Sequence, residues 1–412
     1  MSSPDVVAAH RAAVGADPSL TRCPIMGTYG PPLVEFVRGE GSWLWDRDGR
    51  RYLDLLSGLA VTSLGHSHPA VADALARQSR TLLHVSNLFA TEHAPVVAST
   101  LDRLLGGGGQ VFFANSGAEA VECALKLARR WGPAAAGRYQ VVSAWGSFHG
   151  RTLAALAATG QPAKHEPFQP LPEGFRHVPF DDLDALDAAV TPDVAAVLLE
   201  AVQGEGGVQP ASVEYLRGVR EICTERDVLM MVDEVQTGLG RCGDWFAHQH
   251  AGVRPDVVTM AKALGNGVPI GACWATVEAA ASFVPGDHAT TYGGQPLATA
   301  AARAVLEVME AEDVVGRSTR AGERFTEALL GAPHVVSVRG RGLLLAVELD
   351  VPSADAARVL LDRGVVVNAV TPTALRLAPS LLISDEEIDA GVAALLDAAA
   401  LVADRTDGGS AQ

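Results

Sequence analysis

Six short, almost wholly apolar runs recur between residues 110 and 277, and stretches of helical periodicity separate them. They are Gln110 to Asn115, Gln140 to Ala144, Val194 to Ala201, Val228 to Val235, Val257 to Ala261 and Gly271 to Val277. A strand apolar on both faces must be covered on both, so this alternation predicts a mainly parallel α/β sheet with helices packed above and below it. At 412 residues the chain has volume for a large core and roughly two or three domains' worth of sequence. The reading is α/β: a large mainly parallel-sheet domain over 70–305, and a smaller α+β domain over 306–403 joined by the N-terminal segment 1–69. The tail 404–412 is expected to be disordered.

Local signals fill in the smaller domain. Trp43-Leu44-Trp45-Asp46-Arg47-Asp48-Gly49-Arg50, followed by Tyr52-Leu53-Asp54, has the pattern of a hairpin turned at Asp48-Gly49. A helix over Pro296 to Glu312 leads out of the large domain. Beyond it, Gly342 to Leu349 reads as a strand, Ser353 as the cap of a helix ending at Gly364, and Val365 to Val367 as another strand. Ser384-Asp385-Glu386-Glu387 has the spacing of a capping box for the last helix.

The net charge of −16 leaves no basic stripe for phosphate backbones or anionic membrane surfaces, so neither nucleic acid nor membrane is an expected partner. Five scattered cysteines (Cys23, Cys123, Cys223, Cys242, Cys273) never fall in CxxC spacing, so no zinc site or disulfide framework is expected. The start of the chain lacks a basic region followed by an apolar stretch, and no run of 18 apolar residues occurs, so a cytoplasmic location is expected.

Only three lysines stand against 29 arginines, and Lys262 sits where the Val257 run meets the turn Ala263-Leu264-Gly265-Asn266-Gly267. A desolvated lysine there has a lowered pKa and can attack a carbonyl near neutral pH, although the placement alone also fits a solvent-facing strand end. Lys126 follows Glu122 by four residues and reads as half of a helix-surface ion pair; Lys164 reads as a loop residue. Asp233 ends an apolar run, at the edge where open α/β sheets bind ligands, and a buried carboxylate there needs a cationic partner. Asn115-Ser116-Gly117-Ala118-Glu119 opens a helix over Ala118 to Arg130, where free N–H groups and the helix dipole suit a phosphate. Gly238-Leu239-Gly240-Arg241-Cys242-Gly243 matches GxGxxG, but the aromatic and polar residues that follow argue against a dinucleotide loop. A strand-end aspartate, a lysine 29 residues later and a phosphate-binding helix start together suit pyridoxal 5'-phosphate.

Six ordered blocks carry a resemblance. They are Val111 to Ala120, Ser147-Phe148-His149-Gly150-Arg151-Thr152, Glu200 through Gly207, Asp233-Glu234-Val235-Gln236-Thr237-Gly238, Ala261 to Gly265, and Thr290-Thr291-Tyr292-Gly293-Gly294. Over about residues 26 to 400 the chain resembles class III aminotransferases of fold type I, nearest to the acetylornithine branch. The resemblance implies that Lys262 is the Schiff-base lysine and general base, and that Asp233 partners the pyridinium. It implies that Gln236 binds the ring hydroxyl, that Val235 and Phe148 sandwich the ring, and that Ser116, Gly117 and Ala118 hold the phosphate. Thr291 would reach the phosphate of a neighbouring subunit, so a homodimer with shared active sites is implied. Arg151 and Thr290 match positions that contact N2-acetylornithine, Arg376 matches the arginine for glutamate's α-carboxylate, and Glu205 matches a carboxylate that pairs with that arginine when the other substrate is bound. Tyr29 matches the acetylornithine branch.

The resemblance further implies a ping-pong exchange between N2-acetylornithine and 2-oxoglutarate, a step of arginine biosynthesis. Leu59 stands where ornithine-specific relatives carry an extra tyrosine, which favours an acylated donor. Ala201, Val121, Asn266, Ala289 and Gln295 depart from the commonest family pattern and leave other ω-amine donors open: succinylornithine, succinyl-diaminopimelate, ornithine or 4-aminobutyrate.

Overall fold

A computed structural model describes residues 25–30, 32–132 and 137–409, with side chains as far as 405; residues 1–24, including Cys23, and 410–412 lie outside it. The largest sheet has seven strands in the spatial order Gly109–Ala114, Gly271–Thr276, Val257–Met260, Leu229–Asp233, Val194–Leu199, Gln140–Ala144 and Phe175–Val178. All six expected runs are strands of this sheet. The seventh, Phe175–Val178, pairs parallel with Gln140–Ala144 at the edge, and its partly exposed Phe-Arg-His-Val composition gave no apolar signal. Val194–Leu199, Leu229–Asp233 and Val257–Met260 are buried at every position. Each valine or leucine so buried contributes about 1.5–3 kcal/mol, which makes the centre of this sheet the most strongly determined part of the fold.

One strand runs against the rest. Gly271–Thr276 is antiparallel to both of its neighbours, with Gly271 opposite Ala114 and Ala272 opposite Met260. The C-terminal ends of Gly109–Ala114, Val257–Met260, Leu229–Asp233, Val194–Leu199, Gln140–Ala144 and Phe175–Val178 therefore share one edge with the beginning of the reversed strand. Loops leaving those ends converge on a single place.

The helix Gly117–Trp131 buries Ala120, Val121, Ala124, Leu127 and Ala128, a stripe at the three- and four-residue spacing of one helical face. Ser116 caps it by accepting from the Glu119 N–H at 3.2 Å. Glu119 reaches one residue further back than a capping box requires, accepting from the Asn115 N–H at 2.8 Å and Asn115 Nδ2 at 2.7 Å. The expected Glu122–Lys126 pair does not form. Glu122 instead accepts from Thr152 Oγ1 at 2.6 Å and from the N–H groups of Ala154 and Ala155, whose helix start offers free donors, while Lys126 donates to the Asp287 carbonyl at 2.7 Å. Lys164 lies in a short helix, Pro162–His165, where Pro162 presets the first turn.

The N-terminal strands Phe36–Glu40, Trp43–Asp46 and Arg51–Asp54 form an antiparallel meander, and Val365–Val366 adds to it in parallel with Arg51–Asp54. A second sheet orders Val335–Arg341, Leu344–Leu349, Ala374–Leu377 and Asn368–Ala369. Val335–Arg341 was not expected, because its residues are mostly half-buried and mixed in polarity. The strand expected from Gly342 begins at Leu344, since Gly342 turns the chain with φ of +51°. Ser353 is already the first residue of the helix Ser353–Asp362 and bonds the Thr371 carbonyl rather than capping. The final helix runs Asp385–Gly409, so the chain stays helical past the expected boundary at 404.

The rejected GxGxxG segment has a structural task. Arg241, 1% exposed, donates to the carbonyls of Leu343 (3.1 Å) and Pro379 (2.6 Å) and to Ser63 Oγ (3.1 Å), tying three distant segments together. The Ser384–Glu387 capping box closes reciprocally at 3.0 and 3.2 Å. Glu387 also accepts from Trp43 Nε1 at 2.7 Å and Ser42 Oγ at 2.9 Å, joining the first hairpin to the last helix. Glu387→Ala strips a carboxylate from three donors. Thermal denaturation should show a loss of about 2–3 kcal/mol, and a change within 0.5 kcal/mol (roughly what a plain surface substitution gives) would contradict this role.

Candidate active site

At the shared strand edge lies a cavity of about 420 Å³ whose wall includes Lys262, Asp233, Glu200, Glu205 and the start of the helix Gly117–Trp131. Lys262 follows Val257–Met260 by two residues and carries φ of +39°, uncommon for a side chain with a Cβ. Such strain persists only where surrounding packing imposes it, and it aims this backbone away from the strand direction. Burial lowers the Lys262 amine to about 8; the Glu205 carboxylate acts to raise it and the Arg376 guanidinium to lower it further. A substantial neutral fraction therefore exists near neutral pH.

Asp233 closes the neighbouring strand, its backbone in register with Thr259. Its Oδ2 lies 2.9 Å from His149 Nδ1, and its Oδ1 accepts from the Val235 N–H at 3.0 Å and Thr259 Oγ1 at 3.3 Å. Burial opposes a charge on His149, yet the hydrogen bond and charge of Asp233, with the Glu200 charge, raise its pKa above the ordinary histidine value. The result is a buried histidine–carboxylate pair in which the protonated imidazole is favoured relative to a free histidine. Neither His149 nor Glu200 was assigned a role from sequence. Glu200 follows a wholly buried strand just as Asp233 ends one, so the same signal was present, hidden inside the run Val194 to Ala201.

Ser116, Gly117 and Ala118 bring the first turn of a 15-residue helix to the cavity wall. A Cβ at Gly117 would stand 2.7 Å from Val235 Cγ1, so only glycine permits this approach. Phe148, Arg151, Val235 and Gln236 also line the wall, with the Arg151 guanidinium 5.6 Å from the Phe148 ring centre.

Arg376 arrives from the other sheet, on the strand Ala374–Leu377, and is 1% exposed. Its Nη1 bonds Glu205 at 2.6 Å and Gln236 Oε1 at 3.2 Å, and its Nε bonds Asn368 at 3.1 Å. Burial pushes the Glu205 carboxyl up, but the charge and bond of Arg376 outweigh it and hold the pKa below the ordinary value.

Of the residues picked from sequence, Lys262, Asp233, Ser116, Gly117, Ala118, Phe148, Val235, Gln236, Arg151 and Glu205 line one cavity, and Arg376 is bonded to it through Glu205. Thr290, Thr291 and Tyr29 do not line it within one chain. Thr290 accepts from Asn115 Nδ2 at 3.3 Å beside the helix start, and Tyr29 is 88% exposed. Leu59 lies outside the lining, whereas nearby Val61 belongs to it. Asn266, a departure from the family glycine, adopts the left-handed conformation with φ of +46° and bonds the Leu64 N–H and Gly65 carbonyl, so it meets the backbone requirement and adds a tie.

The aminotransferase class-III family matches residues 26–399. Acetylornithine aminotransferase of Corynebacterium efficiens is 51% identical over 382 residues, covering 90% of this chain and 94% of that protein. Among solved structures, the ornithine aminotransferase of Toxoplasma gondii superposes with a TM-score of 0.88 at 33% identity, covering 93% of this chain and 94% of the other. The N-acetylornithine aminotransferase of Stenotrophomonas maltophilia gives 0.77 at 36% identity, covering 90% and 96%.

The electrostatics of Lys262 can be read directly. In cofactor-free protein, the rate at which Lys262 is captured by a small aldehyde and borohydride should rise through a midpoint near pH 8. Glu205→Gln should move that midpoint down, because it removes the carboxylate that favours the charged amine. A midpoint at the ordinary 10.5 would contradict the assignment.

Proposed function

This chain belongs to the class III aminotransferases, and on that premise we propose that it moves the terminal amino group of N2-acetylornithine to 2-oxoglutarate. It is a pyridoxal-phosphate-dependent transaminase of fold type I. In this reading the reaction serves arginine biosynthesis, and the enzyme is cytoplasmic; no helix among the described residues is long and apolar enough to cross a membrane.

The residues present fit the cofactor. The glycine-only approach of Gly117 to Val235 leaves backbone donors at a helix start for a phosphate, and Asp233 offers a buried carboxylate for a cationic ring nitrogen. Ser116, Gly117 and Ala118 would hold the phosphate, Phe148 and Val235 the ring faces, Gln236 the ring hydroxyl, and Lys262 the carbonyl carbon. When bound, pyridoxal phosphate supplies an electron-withdrawing ring that stabilises negative charge at the carbon bearing the substrate's amine. Lys262 removes a proton from that carbon and returns one, which its lowered pKa allows near neutrality. Asp233, oriented by its 2.9 Å contact with His149, would face the ring nitrogen and favour its protonated form.

The observation that carries the substrate reading is the Arg376–Glu205 ion pair. With Glu205 in place, Arg376 is neutralised and the pocket accepts an amine whose neighbouring carbon carries no carboxylate, as at the far end of acylated ornithine. Arg151, with Thr290, would hold that substrate's own carboxylate. When glutamate enters, its α-carboxylate takes the Glu205 position on Arg376. One pocket thus serves both halves of the exchange.

We also propose a homodimer with shared active sites. A single chain leaves Tyr29, Leu88, Phe89 and Tyr292 between 62% and 88% exposed, and large apolar surfaces of this kind favour a partner. In that assembly Thr291 would reach the neighbour's phosphate and Tyr29 its substrate. Sedimentation at a single chain mass would overturn it.

Purified holoenzyme mixed with one donor at a time gives the half-reactions by absorbance. N-acetylornithine and glutamate should convert the cofactor fastest, with ornithine and 4-aminobutyrate slower; a faster 4-aminobutyrate reaction would move the assignment to another ω-amine donor. Arg376→Ala should slow the glutamate half-reaction about 10- to 100-fold more than the N-acetylornithine one. Equal losses would count against the exchange of carboxylates on Arg376.

A further inference from the structure

Glu200 is buried beside Asp233 but makes no hydrogen bond to it. Its Oε2 accepts from the Phe148 N–H at 3.0 Å, and its Oε1 from the Gly204 N–H at 3.4 Å. These two amides belong to different loops. Phe148 lines the cavity after the strand Gln140–Ala144, whereas Gly204 immediately precedes Glu205. The next peptide, Gly204–Glu205, is held as well, because Arg376 Nη1 lies 3.4 Å from the Gly204 carbonyl oxygen. A Cβ at Gly204 would stand 2.2 Å from Gln236 Oε1 and would push that side chain away from Arg376. A second clamp acts on the same loop: Gln203 Nε2 donates to the Trp145 carbonyl at 3.0 Å. One residue, Gly204, therefore connects Glu200 to Arg376 through its two flanking peptide groups, and Glu205 follows it directly.

We infer that Glu200 is a positioning residue that couples the seat of Phe148 to the hold of the Gly204–Glu205 loop on Arg376, and so biases the pocket between its two substrates. An ionised Glu200 holds the Gly204 amide firmly and keeps Glu205 on Arg376, the arrangement suited to the donor whose reacting carbon carries no carboxylate. A neutral Glu200 loosens the loop and lets an incoming α-carboxylate displace Glu205 more readily. The inference rests on the proposed exchange of Glu205 for substrate on Arg376.

Titration of Glu200 brings this choice into the neutral range. Burial raises its pKa to about 7 against the His149 charge, and the Asp233 charge adds to the rise. Below that value the carboxyl is neutral and its bond to the Gly204 amide is weaker. The ionisable groups facing it are His149, Asp233 and Lys262, with Glu205 further along the same wall and Arg376 bonded behind it. His149, Asp233 and Lys262 serve both half-reactions, so what they contribute divides out of the ratio of the two. The ratio of kcat/KM for glutamate to that for N-acetylornithine therefore reports Glu200.

The test compares holoenzymes of the parent chain, Glu200→Gln and Glu205→Ala in single-donor half-reactions across the neutral range. In the parent, the glutamate to N-acetylornithine ratio should rise as pH falls through about 7, the value at which Glu200 titrates. Glu200→Gln should show a ratio about tenfold higher than the parent at alkaline pH and flat with pH. Both rates falling equally in Glu200→Gln, or a pH-dependent ratio persisting in it, would overturn the inference. Glu205→Ala separates the two ideas: if it shifts the ratio while Glu200→Gln does not, only the role of Glu200 fails. If Glu205→Ala leaves the ratio unchanged, the exchange on Arg376 fails and the role of Glu200 with it. Should Glu200→Gln not fold, a parent ratio that is flat with pH is sufficient to overturn the inference.

Discussion

Holding the Lys262 amine and the buried Arg376 guanidinium in one pocket depends on two carboxylates beside them, the half-buried Glu205 and the buried Asp233. An isolated charge in such surroundings would shift its pKa and neutralise, or force the pocket to open to water. Glu205 stands between the two cations, 2.6 Å from Arg376 and close enough to act on Lys262. Asp233 is matched by His149 at 2.9 Å. The amine keeps a useful neutral fraction because burial outweighs the carboxylates that favour its charged form, and moving any one of the neighbouring charges changes its proton affinity.

The fold supplies that concentration of charge through one reversed strand. With Gly271–Thr276 running against its neighbours, the ends of six strands and the beginning of the seventh lie along one edge. Asp233 and Lys262 leave adjacent strands, and Glu200 leaves the next one along. Arg376 comes from a separate sheet whose place is secured by contacts such as those of buried Arg241. The pocket is therefore built between two sheets, with rigid strand ends on one side and a glycine-rich loop carrying Glu205 across the opening. A loop of that kind can move where a strand cannot.

Much of this was legible because the central strands are uniformly apolar. Against such a background an ionisable residue at a strand end stands out, which is how Asp233 and Lys262 were found. Glu200 carries the same mark and was passed over because Ala201 and Val202 extend the apolar run past it. His149 has no local signal; its role exists only where Asp233 comes within 2.9 Å, 84 positions away. The Arg376–Glu205 pair spans 171 positions, and only the resemblance linked the two. Phe175–Val178 and Val335–Arg341 escaped because edge strands that remain half-exposed mix charged and apolar residues. The misread Glu122–Lys126 pair shows the limit of helical spacing: a neighbouring helix start with free N–H groups is a better partner for a carboxylate than a mobile surface amine.

A crystal structure of the enzyme with glutamate held in the pocket tests the central claim most directly. The account predicts the substrate's α-carboxylate on Arg376 and Glu205 turned away, its bond to the guanidinium broken. Glutamate bound while Glu205 remains on Arg376 would contradict it.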